Sequence, residues 1–345
     1  MPILINRFLI VFFFAFLIAG SQCGEPVSLL TRFEYKEPHM GTLFRIVLYA
    51  PDQGTADKAA KAAFKRIADV DQMMSDYKED SELMLLCKKA GTGPVPVSAE
   101  LFDLIAYSRN IAVKSNGALD ITIGPLVRLW RKARKTRTLP SDDEIAKAKA
   151  LVSYENLVLN EMAHTVQLMK EGMMLDLGSI AKGDSVDKAI AVLKEMGIES
   201  ALAAGGGDIA VSHAPPGTEG WVVGVGPLDN PAATPSEYLL LHDAGVSTAG
   251  DFEQHAEIGG KRFSHIIDPH SGLPLQTRES VTVVAPTDRQ ADGLDTTMNI
   301  LGPEKAMQLA DSEGVAAYYV QATDAGQRVI ESSRWKDLPK RKKKD

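Results

Sequence analysis

Asp176-Leu177-Gly178-Ser179-Ile180-Ala181-Lys182-Gly183 places a carboxylate, a hydroxyl and an amine on one glycine-flanked turn. Before it stands Met173-Met174-Leu175, an apolar run of strand length, and after it residues 185–194 carry a helical pattern. Glycines let a backbone approach a ligand closely, and a helix N-terminus behind the turn favours an anion. The stretch is not a P-loop, because Lys182 precedes its glycine where that motif needs Gly-Lys-Ser/Thr. Two local readings remain open. The turn is an anion site, or Asp176 tidies a strand end and Lys182 is a solvated cap.

Outward from this turn, strand and helix signals alternate. Residues 43–49 and the hairpin over 157–159 and 165–168 read as β, as do 201–204 and 209–211 around Gly205-Gly206-Gly207-Asp208. Strand, glycines, strand is a hairpin, not the strand-to-helix turn of a dinucleotide fold. Further strands are expected at 118–123, 221–225, 238–241, 280–285 and 315–320, and residues 244–251 read as a small-residue loop. Helices are expected at 55–74, 98–113, 142–151 and 288–301, the first from apolar residues at three- and four-residue spacing. The basic run 128–137 reads as a solvated helix face, and residues 91–97 as a loop or edge segment. Separate helices among many hairpins predict an α+β fold with mixed or antiparallel sheets.

The 345 residues carry a net charge of −7, which argues against a nucleic-acid binder. Arg7 precedes an unbroken apolar run over 8–19, the length of a secretory h-region. Gly20-Ser21-Gln22-Cys23 follows and resembles a lipoprotein attachment site, with Gly20 and Gln22 off the usual pattern. Lipid attachment at Cys23, plain cleavage and an uncleaved anchor are the alternatives, each making the protein an exported one. Residues 25–38 read as a tether running into the first strand, and residues 336–345 as a frayed basic tail. The body then holds only Cys87, read as a packed apolar residue, so no internal disulfide supports the fold.

Two further groups bear chemistry. Asp292, Asp295 and Thr296 lie three and four residues apart and share a helix face, opposite Leu294, Met298 and Leu301. Such an all-oxygen face suits Mg²⁺ or Ca²⁺, while acidic residues near a helix start also serve as caps. His265, ahead of Asp268-Pro269-His270-Ser271-Gly272, is either a general base or a structural strand residue.

Taken in order, Met40-Gly41-Thr42, Ala118-Leu119-Asp120, the 176–183 block, Gly205 to Asp208, Val246-Ser247-Thr248-Ala249-Gly250, the 265–272 block and Ala291 to Thr296 resemble the ApbE family of FAD:protein FMN transferases. The similarity runs from about residue 35 to about 320. It implies an ApbE-like, T-fold-like domain over 35–330, and the residues outside it divide into a leader over 1–22, a tether over 23–34 and a basic tail over 331–345. Met40, Tyr77, Ala118, Leu119, Asp120, Asp176, Lys182 and Ile266 would contact FAD, the substrate. Ser179, Asp292, Asp295 and Thr296 would hold Mg²⁺, and position 295, often small in the family, would offer its carbonyl or its carboxylate. His265, with Asp292, would stand at the reacting phosphate. The implied reaction moves FMN from FAD to a Thr or Ser hydroxyl and releases AMP. The implied acceptors are subunits of membrane NADH-quinone or ferredoxin-NAD reductases, at the periplasmic side of the envelope. FAD hydrolysis to FMN and AMP, or FAD binding without chemistry, are the rival activities.

Overall fold

The computed structural model describes residues 30–228, 234–250 and 255–341. The expected leader, Cys23 and the first part of the expected tether lie outside them. The frame is one eight-stranded sheet made of Thr31–His39 (β1), Thr42–Ala50 (β2), Ala201–Gly205 (β3), Asp208–Val211 (β4), Ala244–Gly250 (β5), Glu279–Ala285 (β6), Ala316–Thr323 (β7) and Gly326–Glu331 (β8). Their spatial order is their chain order, and every neighbouring pair is antiparallel. Together with the helices this gives the expected α+β fold.

Alternation along the strands gives the sheet two apolar faces. Phe44, Ile46 and Leu48 of β2 pack under Gln53–Met74 (α1) and Ala181–Glu195 (α4), the latter following Ala99–Lys114 (α2) and Gly124–Thr136 (α3) in the chain. Val281 and Val283 of β6 pack under Asp288–Leu301 (α5) and Pro303–Glu313 (α6). Val47, Val246 and Val284 point to the opposite face, which the hairpin Trp221–Val225/Glu237–Leu241 and Trp335 cover. Residues between β2 and β3 build a second core around Leu101, Leu104, Ile105, Leu119, Ile121 and Leu175. Between β5 and β6, a hairpin at His255–Ile258 and Lys261–Ser264 packs on Leu126 and Trp130 of α3. Among the described residues, no helix is long and apolar enough to cross a membrane.

Several segments differ from the sequence expectation, each for a local reason. Residues 118–123 form turns instead of a strand, because Asp120 accepts from the N–H and hydroxyl of Thr122 at 2.9 and 2.7 Å. That side-chain bonding competes with a ladder. Only the bridge between Ile123 and Met174 remains of the strand expected at 173–175, although Met173 and Leu175 are fully buried. The small-residue segment at 244–250 is a central strand, not a loop. Its Gly245 is required there, since a Cβ would lie 2.1 Å from the Asp288 amide nitrogen. Thr31–His39, read as tether, is an edge strand in register with β2. The tail is held rather than frayed as far as residue 341. Trp335 is buried, and Arg341 donates its N–H to the Tyr238 carbonyl at 2.8 Å.

Candidate functional site

The β1–β2 hairpin, α4, α5 and the two insertions meet around one cleft of about 1020 Å³. That volume lies at the upper end of ordinary ligand sites. Every candidate residue from the sequence lines it, namely Met40, Tyr77, Ala118, Leu119, Asp120, Asp176, Ser179, Lys182, His265, Ile266, Asp292, Asp295 and Thr296. Met40 and Gly41 are the two central residues of the β1–β2 turn, at φ 47° and 73°. Positive φ at both centres matches the right-handed twist of the strands. A methionine there is uncommon, and Met40 and Gly41 both line the cleft.

The opening block straddles a helix start. Asp176 closes the segment by donating its N–H to the Ile121 carbonyl and accepting from Gly178 N–H, both at 2.8 Å. Helix α4 begins at Ala181, so Lys182 and Gly183 stand in its first turn. Gly183 is the contact point with α5: its N–H donates to Asp292 Oδ2 at 2.9 Å, and a Cβ there would lie 2.5 Å from the Asp288 carbonyl oxygen. Lys182 Nζ reaches Asp208 Oδ2 at 2.6 Å and Asp292 Oδ1 at 3.5 Å. The two halves of the site, 176–183 and 292–296, therefore touch.

The capping reading of the α5 carboxylates does not hold. Thr287 caps the helix through Gln290 N–H, and Asp187 of α4 accepts from the N–H of Asp288 and Arg289 at 2.9 and 2.8 Å. Asp292 and Asp295 lie beyond that first turn and are almost fully buried. Their charges are crowded. Burial first, then Asp208, pushes Asp292 up to about 7 against the pull of Lys182. Burial, then Asp292 and Asp208, raises Asp295 well above the usual carboxylate range. Ser247 Oγ lies 2.7 Å from Asp208 Oδ1 and 2.6 Å from Asp295 Oδ2. One hydroxyl proton serves only one of these, so the second contact needs a proton from a carboxyl group. Asp288, behind them, is buried with both carboxyl oxygens lacking a hydrogen-bond partner, and burial together with Asp208 and Asp187 raises it too. Burial opposes the charge of Lys182, but Asp208 and Asp292 outweigh it and keep the amine protonated.

One lysine among Asp208, Asp292 and Asp295 leaves a buried surplus of negative charge. Among the described residues no three His, Cys, Asp or Glu side chains converge as a ready metal cage. Asp292 and Asp295 with the neutral oxygens of Ser179 and Thr296 are hard donors, and the charge surplus suits a divalent cation. The residues present fit such an ion.

At the other end, Arg131 ties Asp76 and Asp176 together, reaching Asp176 Oδ2 at 3.1 Å. Its guanidinium lies 4.2 Å from the ring centre of Tyr77, which is 76% exposed at the cleft edge. Burial, and then the Asp76 charge, pushes Asp176 up to about 6. The basic run is thus not a plain solvated face, since Arg131 and Arg134 both line the cleft. Asp120 spends its carboxylate on Thr122 and on Tyr154 N–H at 2.8 Å, which leaves mainly backbone for a ligand. Ile266 is buried and His265 half-buried on the same cleft wall. Asp76, Arg131 and Asp208 have no site role in the sequence reading, while Ser247, with Thr248, stands there only as a hydroxyl that a phosphate or a planar ring could use. Asp208 and Ser247 stood inside quoted motifs, whereas Asp76 and Arg131 carried no signal beyond charge.

The profile of the ApbE family matches residues 40–319. The chain is 33% identical over 303 residues to the FAD:protein FMN transferase of Klebsiella pneumoniae, covering 86% of each. It is 34% identical over 290 residues to that of Escherichia coli K12, covering 81% of this chain and 82% of the relative. Among solved structures it is similar to the flavinyl transferase ApbE of Pseudomonas stutzeri, with TM-score 0.78, 28% identity and coverage of 90% and 97%. It is also similar to the ApbE protein of Thermotoga maritima, with TM-score 0.81, 26% identity and coverage of 90% and 100%.

Proposed function

Because the chain belongs to the ApbE family, we propose that it transfers the FMN part of FAD to a Thr or Ser hydroxyl of an acceptor protein and releases AMP. The observation that carries this reading is the junction of the two blocks, with Lys182 Nζ 3.5 Å from Asp292 and Gly183 N–H 2.9 Å from it. It sets an ammonium group and a hard-oxygen face side by side in a cleft large enough for a dinucleotide.

FAD is bound along the cleft by Met40, Tyr77, Ala118, Leu119, Asp120, Asp176, Lys182 and Ile266. Asp292, Asp295, Thr296 and Ser179 would hold Mg²⁺, which supplies neutralisation of charge on the pyrophosphate oxygens. Lys182 meets the same oxygens as a point charge, steadied by Asp208. The acceptor hydroxyl attacks the FMN phosphorus, a new phosphoester bond forms, and the bond to the AMP phosphate breaks. The hydroxyl proton passes to His265 or to Asp292, which both line the cleft. Positioning and fixed charge supply most of the rate.

An incubation with FAD, Mg²⁺ and a candidate acceptor separates this reading from its rivals. A mass gain of one FMN on the acceptor is expected. Free FMN and AMP alone would mean a pyrophosphatase, and unchanged bound FAD a carrier. Asp292→Ala should abolish Mg²⁺-dependent transfer, and full activity in that variant removes the site assignment. Acceptors of the NADH-quinone and ferredoxin-NAD reductase type, and a lipid on Cys23 holding the chain to the membrane facing the periplasm, complete the proposal. Labelled fatty acid should enter the wild-type chain and not Cys23→Ala; equal labelling discards the anchor.

A further inference from the structure

Helices α4 and α5 cap each other. Each begins with amides that its own helix leaves unbonded. On α5 the N–H groups of Asp288 and Arg289 donate to Asp187 of α4, to Oδ1 at 2.9 Å and to Oδ2 at 2.8 Å. On α4 the N–H of Gly183 donates to Asp292 Oδ2 of α5 at 2.9 Å. Gly183 and Asp187 are four residues apart, and so are Asp288 and Asp292, so each pair shares a face of its helix. The rungs match Asp187 to Asp288 and Gly183 to Asp292. The helices therefore pass in opposite senses with their N-terminal turns side by side.

The Asp288 peptide is wedged at the upper rung. A Cβ on Gly183 would lie 2.5 Å from its carbonyl oxygen, and a Cβ on Gly245 of β5 would lie 2.1 Å from its nitrogen. Two glycines let α5 come this close, and the Asp187 carboxylate bonds it there. Thr287, the other cap of α5, bonds the Gln290 N–H at 3.3 Å within its own helix, so it steadies α5 without tying it to α4.

The lower rung carries the chemistry. Asp292 spends Oδ2 on Gly183 and keeps Oδ1, 3.5 Å from Lys182 Nζ, for the cation. A carboxylate bonded through one oxygen holds the other in a fixed place. A slide of α5 along α4 would undo both rungs together. We propose that Asp187 is a positioning residue for the cation face. By fixing the register of α5 on α4, it sets where Asp292 and Asp295 stand relative to Lys182. This rests on the transferase reading above and on its cation.

The test compares the full wild-type chain with Asp187→Glu, Asp187→Asn and Thr287→Ala at pH 8, where Asp187 is ionised. Glu keeps the charge and both acceptors but is one methylene longer, so it pushes α5 off its register. Asn keeps the shape and turns an NH₂ donor onto one of the two amides. Thr287→Ala removes a cap from the same helix and leaves both rungs in place. Hydrogen exchange at Gly183 is read relative to the amides of β6, which removes any change in global stability. Binding of Mn²⁺ alone is read from the paramagnetic signal of the free ion. In both Asp187 variants Gly183 should exchange about tenfold faster relative to β6, and Mn²⁺ should bind about tenfold more weakly, the usual effect of losing a partner behind a metal ligand. Thr287→Ala should leave both quantities near the wild-type values. Wild-type Mn²⁺ affinity in Asp187→Glu overturns the assignment. So does Thr287→Ala matching the Asp187 variants, since general loosening of α5 then explains the effect. If Asp187→Asn does not fold, Asp187→Glu and Thr287→Ala decide by themselves. Failure of the wild type to bind Mn²⁺ removes the cation face and the proposal with it. Neither measurement uses FAD: if the wild type modifies no acceptor while both results hold, the transferase reading fails and the role of Asp187 stands.

Discussion

Asp208 has two opposed effects on its neighbours. It holds Lys182 at 2.6 Å, and its charge helps raise Asp292 and Asp295. In Asp208→Asn the shape is kept, the repulsion is relieved and the ammonium loses its partner. The hydrogen bond to a charged group is worth about 1.5–3 kcal/mol, discounted here because Lys182 is partly exposed. Relief of two buried carboxylates works in the other direction, so the metal-free variant should melt near the wild type. Its gain in melting temperature with Mg²⁺ should fall by at least half, because part of the surplus charge that attracts the ion is removed. An undiminished gain would show that Asp208 takes no part in the cation site. Asp208 illustrates what one sequence conceals. It ends a glycine-rich hairpin, and nothing along the chain says that Lys182 and Ser247 will meet there.

Helices α4 and α5 make the site by touching at a residue without a side chain. In Gly183→Ala the added methyl would lie 2.5 Å from the Asp288 carbonyl and 2.8 Å from Asp292 Cβ. The contacts are to backbone and to a Cβ, neither of which swings away. Overpacking of this kind costs about 1–3 kcal/mol. Transfer should fall much further than stability, because the shift separates Gly183 N–H from Asp292. Denaturant unfolding beside FMN transfer measures both, and an active Gly183→Ala chain would mean that the helix contact is not needed. At this scale the sequence was legible where periodicity was strong, as in α1 and α5. It misled at 244–250, where small residues suggest a loop but are required by the close approach of α5. At 118–123 a β-rich composition yielded to the carboxylate of Asp120.

Over the whole molecule, acidic groups that are buried make the chain sensitive to pH. Burial raises Asp176 and Asp187 to about 6 and Asp292 to about 7. The folded chain therefore holds protons that the unfolded chain has already lost above about pH 4. Stability of the metal-free protein should fall as pH rises from about 4 through about 7. Saturating Mg²⁺, at about a hundred times its dissociation constant, adds about 2.7 kcal/mol, or roughly 5–10 °C. The gain should be larger at pH 8 than at pH 5, where protons occupy the same carboxylates. Melting curves with Mg²⁺ and with chelator at both values decide this, and a gain independent of pH would argue against an ion on Asp292. The α+β class and the cleft-lining residues were readable because motifs recur in a fixed order. The pairing of the sheet was not, since antiparallel strands separated by long insertions leave no local trace.

The chain-order sheet also bears on how the protein is made. Along β3 to β8 each strand follows its partner within a short or moderate connection, while residues 51–200 separate β2 from β3. Loop-closure entropy and contact order make that one pairing the slow one. During synthesis the β1–β2 hairpin emerges first and has only α1 to dock against until the rest of the insertion, α4 and β3 have followed. In pulsed hydrogen exchange during refolding, the amides joining β3 to β8 should be protected before those joining β2 to β3; simultaneous protection would mean that the sheet closes in one step.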